Sequence, residues 1–166
     1  MAKISLIRAD FRLIHGQVIT KWVKQTAANK IVIINDALAH DEFLASIYIM
    51  AAPPGIEVMI YSVDQAIAAW NENQMGDGNL FVLFKSIEEV YRAFKGGFPV
   101  DSLQIGGLGA GPGRIVVFGP ITLDNKDAKM LKEMQDQNSH IYLHQVPDEP
   151  SMDFSKVLSK FNFDVK

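Results

Sequence analysis

Lys30-Ile-Val-Ile-Ile-Asn35 carries four β-branched residues in a row. A run with no polar face fits a strand covered on both sides, as in a parallel sheet between two layers of helices. Leu80-Phe-Val-Leu-Phe84 reads the same way. Shorter candidate strands are Ile4 to Ile7, Glu57 to Tyr61, Leu103 to Ile105, Arg114 to Phe118 and Ile141 to His144. Helix-compatible segments lie between most of them: Gln17 to Ala28, Asp41 to Met50, Val63 to Trp70, Ser86 to about Lys95 and Leu123 to Gln137. Phe154 to Phe161 reads as a closing helix. Asp41, Ser62 and Asp124 are candidate caps, and Ser86-Ile-Glu-Glu89 has capping-box spacing. Ala52-Pro-Pro-Gly55 stops one helix, and Asn71 to Asn79 is a turn-rich link. This alternation predicts a single-domain α/β fold over residues 1–166. Its sheet is doubly wound and mostly parallel, with helices on both faces.

The 166 residues suit one domain of ordinary size, and 48% apolar content suffices for a core on each side of a sheet. A net charge of −3 argues against nucleic-acid binding, and no Lys/Arg run points to an anionic membrane surface. Cysteine is absent, which excludes disulfides and thiolate chemistry and fits a cytoplasmic protein. Met1-Ala-Lys-Ile-Ser leads directly into strand-like sequence, so no signal peptide is expected. No apolar stretch is long enough to span a bilayer.

Ligands of open α/β sheets bind beyond the carboxyl ends of the strands. Three segments follow strands in that way: Arg8 to Gln17, Asn35-Asp36 and Phe84-Lys85. The first, Arg8-Ala-Asp-Phe-Arg-Leu-Ile-His-Gly-Gln-Val18, holds a histidine, two arginines and a carboxylate just before a helix. Amides at a helix start are unpaired and favour an anion. Neutral imidazole offers a lone pair near neutral pH, so His15 is a candidate nucleophile for a phosphoryl group. Arg12 could give two parallel hydrogen bonds to phosphoryl oxygens, and Arg8 could add positive charge. Gly16 and Gln17 could supply backbone donors. Asp10 could fix Arg12 or stabilise a charged imidazole. Taken singly, each residue is as readily a cap or part of a structural salt bridge; their convergence at a helix start is what favours an anion-handling loop.

The same loop resembles the active-site loop of IIB subunits of bacterial sugar phosphotransferase systems, in the mannose/fructose/sorbose family. Ile33-Ile-Asn-Asp36 with Asp41, Ala51-Ala-Pro-Pro-Gly55, Leu83-Phe-Lys-Ser86, Gln104-Ile-Gly-Gly107 and Gln145-Val-Pro-Asp148 extend the likeness over most of the chain. Two departures are Phe11, where the family usually has a small polar or acidic residue, and the broken Phe118-Gly-Pro120 segment. The resemblance implies that His15 is phosphorylated by a phosphohistidine on a IIA subunit or domain. It further implies transfer to a sugar held by membrane IIC and IID subunits. A cytoplasmic protein peripherally associated with that transporter, needing neither metal nor nucleotide cofactor, is then expected.

Other features lead to weaker expectations. Phe11, Asn35, Asp36, Phe84 and Lys85 are candidate rim residues, although Asn35-Asp36 reads equally well as a turn and cap. Gly106 to Gly113 fits neither G-x-G-x-x-G nor a P-loop and reads as a flexible connection. His40, His140 and His144 read as surface or rim residues and not as metal ligands. Trp22 and Trp70 read as packing residues. His15 is expected to be exposed among Phe11, Leu13 and Ile14, since two partners must reach it in turn. The competing function is a non-catalytic anion-binding regulatory domain using Arg8 and Arg12. A hydrolase with His15 as general base lacks a serine or cysteine partner. Self-association is open, as no heptad pattern sets a subunit number.

Overall fold

A computed structural model describes residues 1–166. In chain order the elements are β1 (Lys3–Asp10), α1 (Gly16–Thr26), β2 (Lys30–Ile34), α2 (Asp36–Ala39), α3 (Glu42–Met50), β3 (Glu57–Tyr61), α4 (Val63–Asn73) and β4 (Asn79–Phe84). There follow α5 (Ile87–Lys95), β5 (Ser102–Gly107), β6 (Ile115–Phe118), β7 (Ile121–Leu123), α6 (Asn125–Asp136), β8 (His140–Leu143), β9 (Met152–Asp153) and α7 (Phe154–Lys160). The main sheet runs β3-β2-β4-β1-β5-β8-β9. All its pairings are parallel except the short β8–β9 ladder at one edge. The predicted doubly wound α/β sheet is therefore present.

Alternation along β4 separates two cores. Leu80, Val82 and Phe84 point into one cluster with Val90 and Ala93 of α5 and Leu131 of α6. Phe81 and Leu83 point into the other, with Ile19, Trp22 and Val23 of α1. The first holds 28 buried residues and the second 11, so the α1 side is the thinner layer. Each fully buried Phe or Leu contributes roughly 1.5–3 kcal/mol, which makes these strands the main source of stability.

Several boundaries differ from the sequence reading for identifiable reasons. β1 continues through Arg8 and Asp10, because charged residues are tolerated in a central strand when their partners are buried with them. Gly106 and Gly107 belong to β5, not to a loop. Leu123 ends β7, so α6 starts later than expected, with Asp124 accepting from the Asp127 amide. The broken Phe118-Gly-Pro120 segment is the turn of an antiparallel hairpin, with Gly119 at φ +54°. α2, β7 and β9 have no counterpart in the sequence reading; at two to four residues they are too short to show a period. Ser62 forms the full capping box with Gln65. Ser86 forms only half of one, because the Glu89 carboxylate is turned toward β2.

That carboxylate ties the carboxyl edge together. Buried Glu89 accepts from Asn35 Nδ2 and the Asp36 amide, both at 2.9 Å. Asn35 caps α2 through the Leu38 amide. Asp36 accepts from the Val63 amide at 2.9 Å and from Arg92 at 2.6 Å. Asn35 and Asp36 thus bind α2, α4 and α5 to the end of β2, and their assignment as rim residues is corrected to a structural one. Phe84 is corrected too: it is fully buried, edge-on to Phe98.

The Val63 amide, then Arg92, hold the Asp36 carboxyl below the usual carboxylate range. A depressed folded value means that its contribution is present above the ordinary range and disappears as pH falls through the folded value. The urea midpoint of the protein is expected to drop as pH falls below that range. Asp36→Asn should be less stable at neutral pH and lose less on acidification; parallel pH profiles for the two proteins would refute this role.

Candidate active site

Residues two apart on a strand share a face, so Arg8 and Asp10 both point toward α1 while Ile7 and Ala9 enter the opposite core. Arg8 is completely buried. Its Nη1 donates to Gln104 Oε1 at 2.5 Å and to the His144 carbonyl at 3.0 Å. Its Nη2 donates to Asp10 Oδ2 at 3.1 Å and to the Gln145 carbonyl at 3.0 Å. Burial lowers the Arg8 pKa from its ordinary value, and the Asp10 charge opposes that shift. The guanidinium also lies 5.6 Å from the centre of the Trp22 ring, whose Nε1 donates to the same Gln145 carbonyl. Trp22 thus packs, as expected, and also holds the segment after β8. A Cβ on Gly106 would fall 1.9 Å from Arg8 Cζ, so the guanidinium occupies the space a side chain there would need.

This enclosure corrects the assignment of Arg8 as a phosphate-binding residue. Nothing outside can touch it. It supports Asp10, which is equally buried and which also holds the loop between β1 and α1. Asp10 Oδ1 accepts from the Arg12 amide at 3.1 Å and from Arg12 Nε at 3.4 Å. His15 Nε2 lies 3.8 Å from Oδ2, close enough for charge attraction but too long for a hydrogen bond.

The loop between β1 and α1 is shaped by its ends. The Phe11 amide donates to the Gly107 carbonyl and the Leu13 amide to Asp10, closing a tight turn. Leu13 sits at φ +55°, a left-handed conformation that costs a β-carbon-bearing residue on the order of 1 kcal/mol. Burial of its side chain in the α1-side core offsets that cost. His15 is the residue immediately before α1 and gives no side-chain cap, so the first amides of the helix stay free. Gly16, at φ +50°, and Gln17 are exposed there.

His15 is half-buried rather than fully exposed, at 20% for its side chain. Nδ1 lies 2.9 Å from the Leu13 carbonyl. A carbonyl only accepts, so Nδ1 carries the proton in this arrangement. Nε2 is buried and unpartnered, as are Arg12 Nη2 and Arg8 Nε. Arg12 keeps 37% of its side chain open and lies 5.6 Å from the Phe11 ring, which is itself exposed and packs by Gly109. Phe11 is exposed at the carboxyl end of β1, and Lys85 is exposed just beyond the end of the adjoining strand β4. Leu13, by contrast, is buried. The segment after Gly107 is pinned: the Thr122 hydroxyl lies 2.7 Å from the Gly109 carbonyl, and Arg114 bonds to Thr122, Asp124 and Asp127.

The arrangement is a helix start with free amides, a half-buried imidazole and an open guanidinium, set on a buried carboxylate. A family model described as "PTS system sorbose subfamily IIB component" matches residues 4–166. The chain belongs to that family. It is 35% identical over 150 residues to the sorbose-specific EIIB component of the phosphotransferase system from Lacticaseibacillus casei, covering 90% of this chain and 92% of that protein. It is 28% identical to the mannose-specific EIIAB component of Escherichia coli strain K12, spanning 96% of this chain and 49% of that longer protein. The crystal structure of manxB from Thermoanaerobacter tengcongensis superposes with a TM-score of 0.91 at 40% identity, over 97% of this chain and 98% of that one. IIB components of this type are phosphotransferases in sugar uptake that work with IIA and IIC/IID subunits.

Sequence reasoning named Gln104 and Gly106 only as parts of similar segments, and missed what they do. The available signal was the two-residue spacing of Arg8 and Asp10, which puts both on one strand face and demands buried partners. Gly106→Ala is expected to cost about 1–3 kcal/mol through overpacking and to reduce phosphorylation by displacing Arg8. Arg8→Met should cost more, about 3–5 kcal/mol, by leaving the Asp10 charge without its buried partner. Urea unfolding reads both, and a Gly106→Ala protein with unchanged stability would contradict the close packing.

Proposed function

We propose that His15 accepts a phosphoryl group from a phosphohistidine on the IIA subunit and hands it to a sugar hydroxyl presented by the membrane IIC and IID subunits. The observation that carries this reading is the position of His15 immediately before α1, whose first turn has no side-chain cap, three residues after the part-exposed Arg12 whose Nη2 has no partner. A phosphoryl group on the ring would meet the Gly16 and Gln17 amides and the open Arg12 guanidinium, all suited to its oxygens. Phosphoryl transfer depends chiefly on such positioning and charge compensation.

The ring as it stands is a resting form. The Nε2 lone pair is occluded, and Nδ1 is held by the Leu13 carbonyl. A small rotation closes the 3.8 Å gap to Asp10 and frees Nδ1 from Leu13; Nδ1 then releases its proton to water and Nε2 takes one up, so that Nε2–H donates to Asp10 and Nδ1 holds the free lone pair. Nδ1 then attacks phosphorus as the N–P bond of the donor breaks. The ring gains positive charge, which the Asp10 carboxylate stabilises. In the second step the sugar oxygen forms the new P–O bond and passes its proton to water or to a basic group at the sugar site. The N–P bond on His15 breaks, and the ring returns to neutral. Phe11 and Lys85 border the approach of both partners. Recognition of the sugar belongs to IIC and IID.

No helix is long and apolar enough to cross a membrane. The proposed location is therefore cytoplasmic, with the chain visiting the transporter as a peripheral subunit. Membership of the IIB family favours this carrier role over the non-catalytic anion-binding alternative.

With phosphoenolpyruvate, the general phosphotransferase proteins and a family IIA, one acid-labile phosphoryl adduct is expected. His15→Ala should abolish it; equal labelling of that variant would remove His15 from the mechanism. Arg12→Ala should slow transfer by about 100-fold while the fold persists. Nitrogen-15 and phosphorus-31 NMR of the labelled protein should place phosphorus on Nδ1, and a signal from the Nε2 isomer would overturn the ring rotation.

A further inference from the structure

The outer face of α3 has no role in the chemistry above. Phe43, Leu44, Ile47, Ile49 and Met50 are all exposed, Phe43 at 76% and Met50 at 84%. No residue of this nine-residue helix is buried, and only Ala45 and Tyr48 turn partly inward. Phe43, Ile47 and Met50 are spaced i, i+4 and i+7, so they form one stripe on the side opposite Ala45 and Tyr48. Ser46 lies beside that stripe, its hydroxyl folded back onto the Phe43 carbonyl. A helix that is apolar on its outer face is a helix with a partner.

We infer that this stripe is the contact between two copies of the chain, with the α3 helices packed antiparallel about a two-fold axis near Ile47. The spacing is that of helix-on-helix packing, and an identical helix supplies the matching ridge. The four side chains on that side, Phe43, Leu44, Ile47 and Met50, leave roughly 450 Å² of apolar surface, within the upper range for a monomer. At the usual apolar share of an interface, that corresponds to a footprint of about 700 Å² per partner, toward the lower end of a stable specific contact. Asp41 and Glu42 begin the helix, and it carries no Lys or Arg. Antiparallel packing keeps the two acidic ends apart, while an anionic lipid surface would repel them. Donor and acceptor subunits must each release the protein after transfer, which suits the mixed rim of His15 better than a wholly apolar helix. α3 packs at the β2–β3 end of the sheet, separated from β1 by β4, and its stripe faces away from the cluster that Tyr48 shares with Ile14 and Val18 beside His15.

Sedimentation velocity on the full chain at roughly 50 μM is expected to give about twice the chain mass, and a monomer would overturn the inference. The Phe43→Glu, Met50→Glu double variant should sediment as a monomer yet still accept phosphate on His15. A variant that remains dimeric would place the contact on another face. The chain has no cysteine. Ile47→Cys should therefore form a disulfide-linked dimer under mild oxidation, while Lys129→Cys on α6 should not. Equal cross-linking of the two, or none at position 47, counts against the two-fold axis. If the double variant loses phosphate uptake from IIA while the unaltered chain is monomeric, α3 is a donor-docking face and the dimer is excluded.

Discussion

The carboxylate of Asp10 is the group on which this site rests. It is fully buried, and a buried charge survives only when its hydrogen-bonding capacity is met. Arg8 supplies the opposite charge from beneath, and the Arg12 amide and Nε approach from the loop. Arg8 in turn needs Gln104 and the carbonyls of His144 and Gln145, which come from strand β5 and from the turn after β8. Three parts of the sheet thus converge on one carboxylate, and the turn that carries His15 inherits its position from them. Arg8 therefore acts on the loop through Asp10 and not by meeting anything outside.

The sheet order makes this convergence natural. β1 lies between β4 and β5, and its carboxyl end opens where the connections depart to opposite sides. A loop there is bordered by β4 on one flank and by the pinned glycine segment after β5 on the other. Thr122 and Arg114 fix that second flank, so the surface around His15 is stiff on the side where Phe11 rests. Mobility is left to the imidazole itself, whose bond to the Leu13 carbonyl is the one internal hydrogen bond it makes.

How far the sequence disclosed this depended on the length and uniformity of each signal. Lys30–Ile34 and Asn79–Phe84 were legible because strands buried on both faces show long apolar runs. The loop from Arg8 to Gln17 was legible as a site because nucleophile and cations fall within a few residues. Arg8 was misread because its charge suggests an anion partner outside, whereas its partners are the buried Asp10 carboxylate and, 96 to 137 residues away, a side-chain amide and two backbone carbonyls. Phe84, Asn35 and Asp36 were grouped with the site by their place at strand ends; which of them face inward depends on Glu89, Arg92 and Phe98. β9 and α2 were invisible because elements of two and four residues leave no periodicity to read.

β1 is the first strand to be made, yet both of its neighbours lie more than seventy residues downstream. During synthesis it therefore waits, unpaired, while β2 and β3 can already align with each other. The clasp around Arg8 closes later still, when the backbone beyond β8 emerges. A chain that stops short of β8 carries the whole loop from Arg8 to Gln17 but lacks the carbonyls of His144 and Gln145 that enclose Arg8. The loop and its support are thus far apart in sequence, and the loop takes its shape only after long-range pairing of the sheet is complete.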